Sequence, residues 1–322
     1  MNSRWRHVPY VLVAALTGLS LPAAAQTWPT KPIKAFIPFS AGSATDIIPR
    51  AVFDRVAADL GQPIIVENRG GAGGTIAVGA VVKADPDGYT ILANSSAHTV
   101  APSIIENLPY DTAKDLSAVV TLGKNANILV VSPAKGWKTV GDLVAAAKAR
   151  PGTFNYGSAG VGTATHISAE RFRQSAGIEA THVPYKGGPE ALADIMGGRV
   201  DFYYCPISTA LPLIRDGRIV ALAASTPTRA TALADVPTSL EAGFANSDYT
   251  VWYGVFAPAK TPRAIVERLH NATLKVLQTP AMQQKLAELA VDPMPLKPAE
   301  FDRLVADEIG ANQKLIRAAG VK

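Results

Sequence analysis

The sequence predicts an α/β protein, and three observations predict it. Short apolar runs recur along the chain. Stretches of helical periodicity stand between them. The 24 prolines and 26 glycines are spread through the connections, as a loop-rich chain requires. Strands separated by helices of roughly 10–15 residues imply crossover units and parallel sheets.

The elements follow in order. Ile33 to Phe39 reads as a strand. Asp46 to Leu60 places Ile48, Val52, Val56 and Leu60 on one helical face, and Gly61 supplies a stop. On that reading Pro49 falls in the first turn, where proline is tolerated. Ile64 to Val66 is a strand and Thr75 to Ala84 a helix, ended by the turn Asp85-Pro86-Asp87-Gly88. Tyr89 to Ala93 is again a strand. The alternation continues through Ile128–Ser132, Thr139–Arg150, Phe154–Gly157 and Thr163–Ala176, then through Glu190–Met196, Phe202–Tyr204, Ala210–Asp216 and Val220–Ala224. Val251 to Ala257 reads as a strand. Beyond it Pro262–Gln278, Pro280–Leu289 and Pro298–Ala319 are helical, each opened by a proline whose missing N–H costs little there.

Residues 1–25 read as a secretory signal peptide. Arg4 and Arg6 precede an apolar stretch, and Ala23-Ala24-Ala25 offer the small residues of a cleavage site, leaving Gln26 first in the mature chain. The apolar run from Tyr10 to Ala25 is about 16 residues, short of the roughly 20 a membrane span needs. The expected destination is the periplasm. With the leader gone, the remainder of the 322 residues fits one large or two medium domains.

Charge and cysteine usage exclude several classes. The formal charge of +5 includes Arg4 and Arg6 of the leader, no Lys/Arg run of five or more occurs, and zinc-finger spacing is absent, which argues against nucleic acid. The single cysteine, Cys205, rules out an internal disulfide, and its aromatic neighbours predict a buried, inert thiol. The five histidines lack metal-ligand spacing, so no metal or cofactor is expected.

Two glycine-containing loops follow strands and open helices. The first runs Ser40-Ala41-Gly42-Ser43-Ala44-Thr45-Asp46. Small residues let a ligand approach the backbone, and the unpaired N–H groups and positive dipole end of a helix suit a carboxylate or phosphate. An ordinary capped helix start, with Ser43 or Thr45 as cap, accounts for the same pattern. Asp46 is favourable at such a position through the dipole alone, or it receives hydrogen bonds from ligand or water. The second loop, Ser158-Ala159-Gly160-Val161-Gly162-Thr163 leading to His166, has the same grammar. His166 either donates to a ligand or packs. Two such loops facing one cleft would grip an anion from both sides.

Enzyme motifs are not met. Tyr156 stands where a nucleophile elbow before Ser158 needs glycine. Arg69-Gly70-Gly71-Ala72-Gly73-Gly74 is neither a dinucleotide fingerprint nor a P-loop and reads as a surface or cleft-rim connection.

From Trp28-Pro29 to the C-terminus the chain resembles the Bug, or TctC-like, family of periplasmic solute receptors, the binding components of tripartite tricarboxylate transporters. The landmarks are Pro38-Phe39 with Gly42 and Thr45-Asp46; Glu67-Asn68-Arg69 with Gly71-Ala72-Gly73-Gly74; and Asp85-Pro86-Asp87-Gly88-Tyr89-Thr90. They continue through Tyr156-Gly157-Ser158, Val183-Pro184-Tyr185-Lys186-Gly187, Val200-Asp201 and Trp252-Tyr253-Gly254. Their order and spacing carry the resemblance.

The resemblance implies a two-lobed type II periplasmic binding-protein fold with a ligand cleft between lobes. It places lobe 1 at 26–126 plus 250–322 and lobe 2 at 127–249. It implies a carboxylate held by loop N–H groups of Ser40, Ala41, Gly42, Ser43, Ala44, Thr45 and Asp46, and of Ser158, Ala159, Gly160, Gly162, Thr163 and His166. Ser43 departs from the family by replacing a glycine. Tyr204-Cys205-Pro206 replaces a polar pair, so Tyr203, Tyr204 and Cys205 would give a less polar distal pocket suited to an aromatic or apolar-bodied acid. The expected function is capture of a small carboxylate (a di- or tricarboxylate, amino acid or aromatic acid) for integral membrane transporter subunits, without catalysis. A periplasmic sensor subunit with the same pocket, and a hydrolase using Ser158 or His166, are the alternatives.

Overall fold

The computed structural model describes residues 28–105 and 107–319. The signal-peptide reading at 1–25 lies outside them. Among the described residues no helix is long and apolar enough to cross a membrane.

The first half of the chain starts β1 (Ile33–Ile37), α1 (Ala44–Leu60), β2 (Ile64–Asn68), α2 (Thr75–Val82), β3 (Thr90–Ser95) and α3 (Ala97–Ile104). β1 lies between β2 and β3, all parallel. α1 buries Ile48, Val52 and Val56 at four-residue spacing against this sheet, as an amphipathic helix should. Gly61, at φ 70°, ends it in the left-handed conformation glycine adopts freely. The helix begins two residues earlier than the apolar pattern indicates. Pro49 therefore stands inside it, past the first turn, and the Thr45 carbonyl receives no i+4 amide.

A long strand, β4 (Leu116–Val131), then enters the second half: α4 (Val140–Ala149), β5 (Phe154–Ser158), α5 (Ala164–Ala176), β6 (Ala180–Pro184), α6 (Gly188–Met196), β7 (Phe202–Pro206), α7 (Ile207–Arg215) and β8 (Val220–Ala224). The chain returns through β9 (Thr250–Pro258) and finishes with α8 (Arg263–Leu277), α9 (Pro280–Glu288) and α10 (Pro298–Ala319). The strand order is β2-β1-β3-β9-β4-β7-β5-β6, with β8 also on β4.

The sheets are mixed, where crossover counting predicts parallel ones. β9 runs antiparallel to both β3 and β4, and β4 antiparallel to β7 and β8. The reason is that β4 and β9 return the chain between halves and are not members of a strand–helix–strand unit. β4 changes partner midway: Ala126 pairs with Thr250 of β9, and Asn127 pairs with Pro206 of β7.

Each half has apolar packing on both sheet faces. In the first, α1 and β1 share one cluster, while Phe36, Leu92, Trp252, Phe256 and Phe301 form another. In the second, alternation along β7 sends Phe202 and Tyr204 to one side and Tyr203 and Cys205 to the other. α10 folds back over α3, where Glu308 accepts hydrogen bonds from Thr99 and Trp252.

Candidate functional site

The first loop is held by one carboxylate. Gly42 takes φ 79°, and its N–H donates to Asp46 Oδ2 at 2.9 Å. Asp46 Oδ1 accepts from Arg50 Nε at 2.7 Å and from Asn68 Nδ2 at 2.9 Å. Asn68 also donates to the Phe39 carbonyl, which ties β2 to the loop. Asp46 is thus a buried clamp, with both oxygens engaged by the protein. Ser43 is the N-cap of α1 by backbone conformation but makes no capping hydrogen bond. Its Oγ is buried without a protein partner.

The second loop is held by hydroxyls and imidazoles. Thr163 caps α5 by accepting from the His166 N–H, and its own hydroxyl donates to the Gly160 carbonyl at 2.7 Å. Thr165 Oγ1 accepts from the Ala159 N–H at 2.9 Å. Gly160 and Gly162 adopt φ 125° and 76°, conformations that exclude most side chains. The Gly162 N–H donates to His166 Nδ1 at 3.2 Å, so that nitrogen carries no proton.

His166 therefore packs behind the loop. It stacks on His182 with ring centroids 4.0 Å apart, and Tyr156 stacks against both, 4.9 Å from His182 and 6.2 Å from His166. Burial pushes His166 down to about 4 and His182 down to about 3, the latter helped by the charge His166 would carry. Ser158 Oγ lies 2.6 Å from His182 Nε2 and exchanges hydrogen bonds with Gly160. The pair resembles a nucleophile and base, yet Ser158 is fully buried, and among the described residues no carboxylate hydrogen-bonds either imidazole. Glu170 instead pairs with Arg173 and Tyr156.

The two loops meet. Phe39, Ser43, Ala44 and Thr45 from the first, and Ala159, Thr163, Ala164 and Thr165 from the second, line one cavity of about 30 Å³. The N-termini of α1 and α5, helices of 17 and 13 residues, both arrive at it. Among the described residues no lining side chain is charged. Positive potential there comes from backbone N–H groups and helix dipoles, with no opposing carboxylate in the wall.

The placement of each expected residue is specific. Ser43, Ala44, Thr45, Ala159 and Thr163 line the cavity. Gly42, Asp46, Gly162 and His166 shape the loops from behind. Ala41 belongs to the first loop without lining the cavity. Ser40 stands at the mouth, and Gly160 borders an outer groove of about 610 Å³ with Gly71 to Gly74, Lys186 and Glu190. Tyr203 reaches the cavity. Tyr204 points the other way and its hydroxyl meets Ser239 at 2.9 Å. Cys205 is buried against Thr209, and burial pushes its thiol up to about 12. Near Tyr203 the wall mixes the hydroxyls of Thr209 and Tyr253 with the apolar Pro206 and Val251. Ser95 and Thr209 carried no local sequence signal, while Thr165 lies within the second loop. Tyr253 carried a signal as part of Trp252-Tyr253-Gly254.

At the mouth the halves press together through glycines. A Cβ on Gly187 would lie 2.7 Å from Ser40 Cβ, and one on Gly73 would collide with the Val161 carbonyl. Among the described residues no group of three His, Cys, Asp or Glu side chains is placed to hold a metal.

Comparison with known proteins gives a consistent picture. The family model of the tripartite tricarboxylate transporter family receptor, TctC, matches residues 48–321. Protein BugT of Bordetella pertussis is 33% identical over 310 residues, spanning 96% of this chain and 95% of its own. The structure of R. palustris Rpa4515 with adipate superposes with a TM-score of 0.88 at 32% identity, covering 91% of this chain and 98% of that one. MatC from Rhodopseudomonas palustris, with bound malate, gives 0.86 at 29% identity, covering 90% and 100%.

Proposed function

Because the chain belongs to the tripartite tricarboxylate transporter family of receptors, we propose that it is an exported receptor that captures a small carboxylate and delivers it to integral membrane transporter subunits. The carrying observation is the convergence of two helix N-termini on one cavity that has no charged side chain. Such a wall favours an anion through many weak, fixed dipoles. The adipate and malate bound to two similar proteins support the ligand class.

The proposed cycle is physical. Lobe 1 (26–126 with 250–322) and lobe 2 (127–249) swing about β4 and β9. The ligand enters the open form, loop N–H groups and hydroxyls replace its water, and closure strengthens those bonds by excluding solvent. The ligand shifts the population toward the closed form, which docks on the transporter. Cleavage after Ala25 releases the mature chain into the periplasm. Ser158 takes no part in chemistry on this reading, since its hydroxyl is held by Gly160 and His182 and does not line the cavity.

A thermal-shift screen of mono-, di- and tricarboxylates tests the proposal. At least one acid should raise Tm with concentration as binding to the native state requires, and should be recovered chemically unchanged. No shift with any acid, or conversion of the acid to product, contradicts it.

A further inference from the structure

Two hydroxyls in the cavity wall stand apart from the rest. Ser43 Oγ and Tyr203 Oη are both buried and have no partner in hydrogen-bond geometry among the described residues, the hydroxyl beside Tyr203 being that of the already engaged Thr165. Ser43 is 5% exposed and Tyr203 is 0% exposed. Both residues line the cavity. They approach it from different halves, Ser43 from the start of α1 and Tyr203 from β7.

The hydroxyls of Tyr253, Thr209, Thr163 and Thr165 in the same wall are already engaged. Tyr253 donates to Asn125 Oδ1 at 3.1 Å. Thr209 donates to the Pro206 carbonyl at 2.9 Å. Thr165, beside Tyr203, accepts from Ala159 and meets the Thr163 hydroxyl. Thr163 caps its own helix, whereas Ser43, in the equivalent place on α1, does not. A buried hydroxyl without a partner is costly, so two of them facing one cavity need an explanation.

We propose that Ser43 and Tyr203 are a pair of specificity-determining hydroxyls on opposite lobes, and that the ligand carries a second hydrogen-bond acceptor beyond its first carboxylate. This rests on the carboxylate-receptor reading above. Ser43 sits at the positive end of α1 and donates to the first carboxylate. Tyr203 donates to the second acceptor, a further carboxylate or a hydroxyl oxygen. Burial keeps the Tyr203 phenol protonated far beyond its ordinary range, which suits a donor. Closure over water-free space, or over an acid with only an alkyl tail, strands at least one hydroxyl. Closure over an acid with both acceptors satisfies the two together and ties the lobes to each other.

Calorimetric titration of the mature chain with matched acid pairs tests this: malonate and propionate, succinate and butyrate, adipate and hexanoate. Each pair differs only in the group at one end. In the best-bound pair the diacid should bind at least about 30-fold more tightly than the monoacid, because a site built for a polar group rejects the analogue lacking it. Tyr203→Phe should weaken the diacid by about tenfold or more and leave the monoacid within about twofold. Ser43→Ala should weaken both members alike. Neither variant should lower Tm appreciably without ligand, since neither hydroxyl has a partner in hydrogen-bond geometry among the described residues.

Equal affinity for diacid and monoacid, or a Tyr203→Phe effect that is absent or the same for both, overturns the inference while leaving the receptor reading in place. Failure of all six acids, together with an empty wider carboxylate screen, removes the receptor reading and this inference with it.

Discussion

Ser40 Oγ donates to Glu190 Oε1 at 2.6 Å across the mouth of the cavity. Ser40 follows β1 and Glu190 lies in the first turn of α6, so this bond joins the two halves of the chain directly. Both side chains are at least partly exposed, which limits what the bond contributes. Glu190→Ala should weaken ligand binding by about two- to fivefold, chiefly through faster release, with little change in Tm. Stopped-flow release rates check this; an unchanged rate would show that the bond does not hold the mouth shut.

Gly73 should matter more than Glu190. Its φ of 63° already disfavours a side chain, and a Cβ would collide with the Val161 carbonyl of the opposite loop. The collision arises only when the halves meet. Gly73→Ala should therefore cost ligand affinity by about tenfold or more, while the left-handed conformation costs stability only about 1 kcal/mol. Calorimetry and urea unfolding on the same variant separate the two effects.

Asp46→Ala should act through the loop. The substitution removes the acceptor shared by the Gly42 N–H, Arg50 and Asn68 in a part-buried place. The expected loss is about 2–4 kcal/mol of stability, read as a lower urea midpoint at unchanged m-value, together with loss of ligand binding. Full stability in this variant would show that the clamp is not needed.

Acid should destabilise the fold through its buried histidines. Burial pushes His98 and His182 down to about 3 and His166 down to about 4, from an ordinary value of 6.5. The unfolded chain then binds more protons than the native one between about pH 6.5 and pH 4. Stability is complete above pH 6.5 and falls as pH drops through that window, by up to about 1.4 kcal/mol per pH unit for each such group. His166 also loses its acceptor for Gly162 when protonated. His166→Gln and His182→Gln variants should show flatter stability–pH profiles than the parent; identical profiles would argue against these groups.

Cys205 should resist thiol reagents. It is fully buried, and its thiol is pushed up to about 12 by that burial. Ellman's reagent should label it only as fast as the protein unfolds. Rapid labelling of the native protein would contradict this placement.

The sequence carried much of the fold because its helices repeat apolar residues at clean spacing, as α1 does with Ile48, Val52 and Val56. α3 was not legible, since His98, Thr99 and Pro102 break any simple apolar face and its partner α10 lies far along the chain. β4 was visible only at its end, because its first half is recognisable as strand through β9, more than a hundred residues away. The two anion-type loops were legible from strand, glycine and helix order. What Asp46 and His166 do there was not, because it depends on Asn68 of β2 and His182 of β6, besides Arg50 one turn further along α1. Tyr203 was distinguishable from Tyr204 only once the β7 pairing fixed which face met the cavity.

The most direct measurement is a crystal structure of the mature chain grown with the acid that raises Tm most. A carboxylate should appear enclosed by residues 43–45 and 159–165, with its oxygens in hydrogen-bond reach of main-chain N–H groups from both loops. The acid bound elsewhere, or contacting only one of the two loops, would contradict it.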